Sequence, residues 1–127
     1  MSDAKLRVLV VDDEPDITSI IQMGLERKGF SVSVYNSPTA ALQECMPGAY
    51  DIALLDVRMP GMNGFELYQE LQKKDARVKP CFMSAFDISS EELDTLFPSK
   101  ERPFIRKPFV MPELVKKLGE EASRQES

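Results

Sequence analysis

Five short apolar runs recur along this chain at near-regular intervals: LRVLVV (6–11), FSVSV (30–34), DIALLD (51–56), PCFM (80–83) and PFI (103–105). Each has the length of a β-strand, and a segment with helical spacing follows each one. The first and third runs are almost continuously hydrophobic, as parallel strands covered on both faces should be. Strand–helix alternation repeated five times over short connections implies right-handed crossovers and a parallel sheet sandwiched between helices.

The helical segments carry their own punctuation. Pro15 suits a first helical position with Asp16 beside it, and Ile17, Ile20, Ile21 and Leu25 keep the three-four rhythm until Gly29. Ser37-Pro38 opens a second helix that Pro47-Gly48 closes, and Asn63-Gly64 precedes a third with Phe65, Leu67, Tyr68 and Leu71 on one side. Ser89 and Glu92 form a capping box for a fourth, which Pro98 should end early or kink. Pro112 starts a fifth bearing Leu114, Val115 and Leu118, after which the tail GEEASRQES is polar and expected to fray. No repeat, linker or low-complexity stretch interrupts the pattern. The chain therefore reads as one α/β domain over 1–127, with a core at 5–120 and a polar C-terminal tail at 119–127.

A length of 127 residues, 43% of them hydrophobic and 29% charged, suits a globular domain with one buried core. The net charge of −5 argues against direct nucleic-acid binding. Residues 100–117 nevertheless hold six basic and two acidic side chains, a local +4 that suits either a solvated face or a docking surface. The N-terminal MSDAKLRVLVVDDE has too short an apolar run for a signal peptide to be expected, and no apolar stretch is long enough to span a membrane. Cys45 and Cys81 have neither metal-ligand spacing nor a disulfide-framework pattern, so the chain reads as a cytoplasmic protein with reduced thiols. The absence of histidine excludes His-based triads, His-ligated metals and autophosphorylation on His within this chain.

Ligands of open α/β sheets bind beyond the carboxyl ends of the strands. Asp12 and Asp13 follow the first run, Asp56 ends the third, Ser84 follows the fourth and Lys107 the fifth. Alone, each has an ordinary explanation: a helix-start acid, a turn residue, a strand-end hydroxyl, a surface lysine. Sorted by strand end, they converge on one rim. Three carboxylates within a few ångströms repel and raise one another's pKa unless a cation sits among them. With no His and no paired Cys, a hard oxygen-seeking ion is the natural choice. Mg²⁺ fits, because it accepts one or two carboxylates and keeps positions for water or phosphate oxygens.

The motifs VLVVDDEP (8–15), LLDVRMPGMNG (54–64), MSAF (83–86) and FIRKPF (104–109), in this order and spacing, resemble the receiver domains of two-component response regulators, chemotaxis-regulator-like single domains among them. The likeness covers residues 7–118. It implies a flavodoxin-like, doubly wound, five-stranded parallel sheet of order 2-1-3-4-5 with five helices. It also implies a phosphorelay signalling module rather than an enzyme, whose phosphoacceptor Asp56 attacks the phosphohistidine of a sensor histidine kinase or a histidine phosphotransfer protein.

In the same resemblance Asp13 and Asp56 are direct Mg²⁺ ligands, Asp12 acts mainly through a bound water, and the backbone carbonyl of Arg58 completes the protein's share. Lys107 pairs with the phosphoryl oxygens, Ser84 is the switch hydroxyl and Phe104 the aromatic that moves with it. The Lys107–Pro108 peptide is usually cis in the family. The implied readout face is the fourth helix, fifth strand and fifth helix, read by an output protein that the sequence does not identify, with the chain a monomer or a phosphorylation-promoted dimer. Serine stands at 84 where threonine is more frequent, and Phe104 lacks the hydroxyl of the tyrosine variant. Arg58 and Phe86 occupy variable positions that tune phosphoryl lifetime.

No DNA-binding or catalytic output segment follows Leu118, which suits a stand-alone regulator or shuttle; a receiver excised from a longer protein would look the same. Two other classes compete. A flavin-binding flavodoxin-like protein would want a hydroxyl- and Gly-rich phosphate cradle where this chain has DDE. A Mg²⁺-dependent aspartyl-phosphate phosphatase would place its nucleophile after the first strand with a second acid two residues on, whereas Asp12 and Asp13 are adjacent.

Overall fold

Successive side chains of a strand point to opposite faces, so a strand with no polar position must be covered twice. Val8 and Val10 face one side of β1 (Arg7–Val11), Leu9 and Val11 the other, and all four are fully buried. The computed structural model describes residues 6–85, 91, 95 and 103–123. In chain order the further elements are α1 (Pro15–Arg27), β2 (Ser31–Tyr35), α2 (Pro38–Glu44), β3 (Ile52–Asp56), α3 (Gly64–Lys74), β4 (Lys79–Ser84), β5 (Phe104–Arg106) and α4 (Met111–Ser123). The strands form one parallel sheet of order β2-β1-β3-β4-β5, the flavodoxin-like arrangement. These four helices have both ends among the described residues, and Glu91 and Thr95 are helical as well; Phe86, Ser89, Glu92, Pro98 and the basic residues 100 and 102 lie outside the described residues.

One face packs Val8, Val10, Ile52, Leu54, Cys81 and Met83 against Ile21 and Leu25 of α1 and Leu114 and Leu118 of α4. The other packs Leu9, Val11, Ala53, Leu55 and Phe82 against Ala41 of α2 and Leu67 and Leu71 of α3. Phe82 anchors this second layer, with its ring centroid 4.7 Å from Phe65 and 5.9 Å from Tyr68 in an edge contact. Each fully buried aliphatic side chain contributes about 1.5–3 kcal/mol through lost apolar surface.

Three local features differ from the sequence reading. α2 ends at Glu44, before Pro47-Gly48, because Cys45 is already extended and the residue before a proline disfavours helix. Ile20 is 61% exposed although it keeps the helical rhythm, since the sheet side of α1 is taken by Thr18, Ile21 and Leu25. The polar tail expected to fray is helical as far as Ser123, and residues 124–127 lie outside the described residues. Glu121 turns inward, 3% exposed, and pairs with Lys117 one turn earlier at 3.3 Å. No helix among the described residues is long and apolar enough to cross a membrane.

Candidate functional site

The sheet order makes β1 and β3 neighbours in register, Val11 beside Leu55, so the residues that follow them emerge side by side. Carboxylate oxygens of Asp12, Asp13 and Asp56 all lie within 4.8 Å of one another. Asp12 is fully buried and Asp56 nearly so, while Asp13 is exposed. Lys107, just past β5, reaches into the cluster: its Nζ lies 2.7 Å from Asp12 Oδ2, 3.5 Å from Asp56 Oδ1 and 3.8 Å from Glu14 Oε1. The three acids found at strand ends and the lysine are thus one constellation.

Asp12 is held at every polar atom. Its amide donates to the Tyr35 carbonyl at 3.2 Å, and its carbonyl accepts from Asn36 Nδ2 at 2.9 Å. Its Oδ1 accepts the Glu14 amide at 3.0 Å and its Oδ2 the Lys107 ammonium. The Asp13 carboxylate, by contrast, has no hydrogen-bond or ion-pair partner among the described residues.

Burial, and then the charges of Asp12 and Asp13, push the Asp56 carboxyl up to about 6, against the opposing pull of Lys107. Burial also disfavours the Lys107 ammonium. Its hydrogen bond to Asp12 and the negative charges of Asp12, Asp56 and Glu14 outweigh that, so its pKa is raised and the charge is secure. The lysine relieves part of the carboxylate crowding, and the donor set that remains is oxygen only. That suits a hard divalent cation and offers nothing to a thiophilic one.

The turn after Asp56 is shaped by its glycines. Gly61 adopts φ +87, which favours glycine. The Gly64 amide donates to Val57 O at 2.9 Å, and a Cβ at Gly64 would collide with the Asp56 carbonyl oxygen. Asn63 caps α3 reciprocally: its side chain accepts the Glu66 amide at 2.8 Å, and Glu66 accepts the Asn63 amide at 2.9 Å. The rim opens into a cavity of about 560 Å³ whose walls include Arg58, Met59 and Ala85 beside Asp13, Asp56 and Lys107.

Ser84 ends β4 with 1% exposure, and its carbonyl accepts the Lys107 amide at 2.9 Å. The Lys107–Pro108 peptide is cis. Phe104 pairs in register with Phe82 and packs, half-buried, on the α2–α3 side of the sheet, in the core layer rather than in the acidic cluster. Glu14, Asn36 and Thr18 also belong to the rim and escaped the sequence reading. Asn36 follows β2, so the strand-end rule applied to the second run would have found it.

A family model described as the response regulator receiver domain matches residues 8–119. The uncharacterized transcriptional regulatory protein YkoG of Bacillus subtilis (strain 168) is 31% identical over 114 residues, which is 90% of this chain and 50% of that protein. The non-phosphorylated HemR receiver domain of Leptospira biflexa has a TM-score of 0.80 at 28% identity, covering 97% of this chain and 98% of that one. The response regulator TrrA of Thermotoga maritima, in complex with Mg²⁺-BeF, has a TM-score of 0.75 at 30% identity, covering 91% and 97%. The chain spans about half the length of the curated relatives it matches.

Proposed function

This chain belongs to the receiver-domain family of two-component response regulators, and from that premise we propose that Asp56 accepts a phosphoryl group from a phosphohistidine. The donor is a sensor histidine kinase or a histidine phosphotransfer protein. The family is a signalling domain rather than a classical enzyme. The observation that carries the assignment to Asp56 is the Lys107 ammonium standing 2.7 Å from Asp12 and 3.5 Å from Asp56 inside a cluster of three carboxylates.

Phosphoryl transfer asks a protein for positioning and charge stabilisation more than for covalent chemistry. Asp13, Asp56 and the Arg58 backbone carbonyl would hold Mg²⁺ directly, with Asp12 acting through water. Bound there, Mg²⁺ would neutralise the carboxylates and the charge on the phosphoryl oxygens. An Asp56 oxygen attacks phosphorus; the new O–P bond forms as the N–P bond to the donor histidine breaks, and that electron pair stays on the imidazole nitrogen. Lys107, already within reach of Asp56 Oδ1, pairs with a phosphoryl oxygen. The Ser84 hydroxyl donates to another, drawing its loop inward, and the Phe104 ring follows into the space vacated.

Phosphorylation biases two states only through contacts that differ between them, and Ser84 and Phe104 supply those contacts in this reading. The face of the fourth helical segment, β5 and the last helix, α4, is then what an output partner reads. YkoG, like other curated relatives, is a transcriptional regulatory protein about twice as long, so that partner is either another protein or a further segment of the same one. A cytoplasmic setting, and a monomer or phosphorylation-promoted dimer, belong to the same reading.

Incubation with acetyl phosphate and Mg²⁺ followed by intact mass tests it. A single phosphoryl adduct is expected, lost in Asp56→Asn and lost with chelator. An adduct that persists in Asp56→Asn, or none under any condition, contradicts the assignment.

A further inference from the structure

The β1–β2 ladder stops at Val11 beside Tyr35. Beyond it the Asp12 amide still reaches the Tyr35 carbonyl at 3.2 Å, but the backbone after β2 leaves the sheet at Ser37, whose hydroxyl accepts the Ala40 amide and caps α2. A side chain carries the sheet one rung further. Asn36 Nδ2 donates to the Asp12 carbonyl at 2.9 Å and to Thr18 Oγ1 at 3.0 Å, and the Thr18 hydroxyl donates to the Pro15 carbonyl at 3.0 Å. Thr18 is 2% exposed, so its hydroxyl sits in a buried, fully paired position on the first turns of α1.

This chain of bonds spans residues 12–18 from both ends. At the start of α1 the Glu14 amide donates to Asp12 Oδ1 at 3.0 Å, while the Glu14 side chain makes no cap hydrogen bond and approaches Lys107 instead. We propose that Asn36 and Thr18 form a clasp that positions Asp12, and through it Asp13 and Lys107, for cation binding. The proposal rests on the Mg²⁺ reading above and adds two positioning residues to it. Its chemistry is directional. Asn36 must present donors to two oxygens at once, and the Thr18 proton is already committed to Pro15. The substitution Asn36→Asp would set an acceptor against acceptors with almost no change of size.

The test is calorimetric titration of the protein with Mg²⁺ alone, together with amide hydrogen exchange over residues 12–18 in chelator. Asn36→Asp and Thr18→Val are expected to weaken Mg²⁺ binding by roughly tenfold, the usual scale for losing a group that orients a ligand. Thr18→Ser, which keeps the hydroxyl, should match wild type. Faster exchange over residues 12–18, with β3 and β4 unchanged, should accompany both losses, and Thr18→Val serves if Asn36→Asp does not fold. Wild-type affinity in both variants would overturn the clasp while leaving the Mg²⁺ reading intact. No Mg²⁺ binding by wild type would overturn that reading, and unchanged exchange in the variants would then overturn the clasp separately.

Discussion

Asp56 holds the central conflict of the site in one side chain. It is 6% exposed, beside two other carboxylates, and its pKa rises to about 6. A carboxyl raised in the folded state adds stability that is complete below its unfolded value of 3.8 and is lost as pH climbs through about 6. Asp56→Asn removes that loss. In chelator the variant should therefore exceed wild type by about 1–2 kcal/mol at pH 8, allowing for screening of the shift by solvent. The gap should close toward pH 4, as read from urea midpoints. A gap independent of pH would count against the crowding.

Asp12, Asp13, Asp56 and Lys107 were legible in the sequence because each sits next to the end of an apolar run. Asn36 was equally open to the strand-end rule, but Glu14 and Thr18 were not, because their roles depend on which way a side chain turns. Glu14 reads as a helix-start acid, and Thr18 falls within the apolar stripe of α1.

At the scale of elements, the start of α3 matters most to the site, since it presses against the Asp56 backbone. Asn63→Ala removes a reciprocal cap and should cost about 1 kcal/mol. Gly64→Ala should cost about 1–3 kcal/mol, because backbone rather than a flexible side chain occupies the space. It should also lower the yield of the acetyl phosphate adduct, whereas Asn63→Ala should mainly shift the urea midpoint. Equal yields in Gly64→Ala and wild type would show that the turn tolerates displacement.

The strands were placed to within a residue at either end, because continuous apolar runs leave little choice of boundary. Helix ends were less legible. α2 stops three residues before its proline, and α4 continues past Leu118 because an ion pair with Lys117 lets Glu121 turn inward, which polarity alone does not reveal.

For the whole molecule, the sheet order brings together Asp12 and Asp56, which lie far apart in sequence, so the site exists only in the folded chain. A cation bound there must stabilise the fold by mass action. At ten times its dissociation constant, Mg²⁺ should raise unfolding free energy by about 1.4 kcal/mol. Asp13→Asn, which changes an exposed carboxylate without a hydrogen-bond partner among the described residues, should abolish that gain at little cost in chelator. A gain that survives in Asp13→Asn would move the cation elsewhere. Fold class was open to inspection from strand–helix alternation alone, but the 2.7 Å approach of Lys107 to Asp12 was not, because no local pattern encodes a contact across 95 residues.

The most direct measurement is chemical location of the phosphoryl group. Borohydride reduces an acyl phosphate to the alcohol, turning the phosphorylated aspartate into homoserine, which peptide mapping can place. After acetyl phosphate and Mg²⁺, homoserine is expected at position 56 alone. Homoserine at position 12 or 13, or a borohydride-resistant phosphate on Ser84, would contradict the assignment of Asp56.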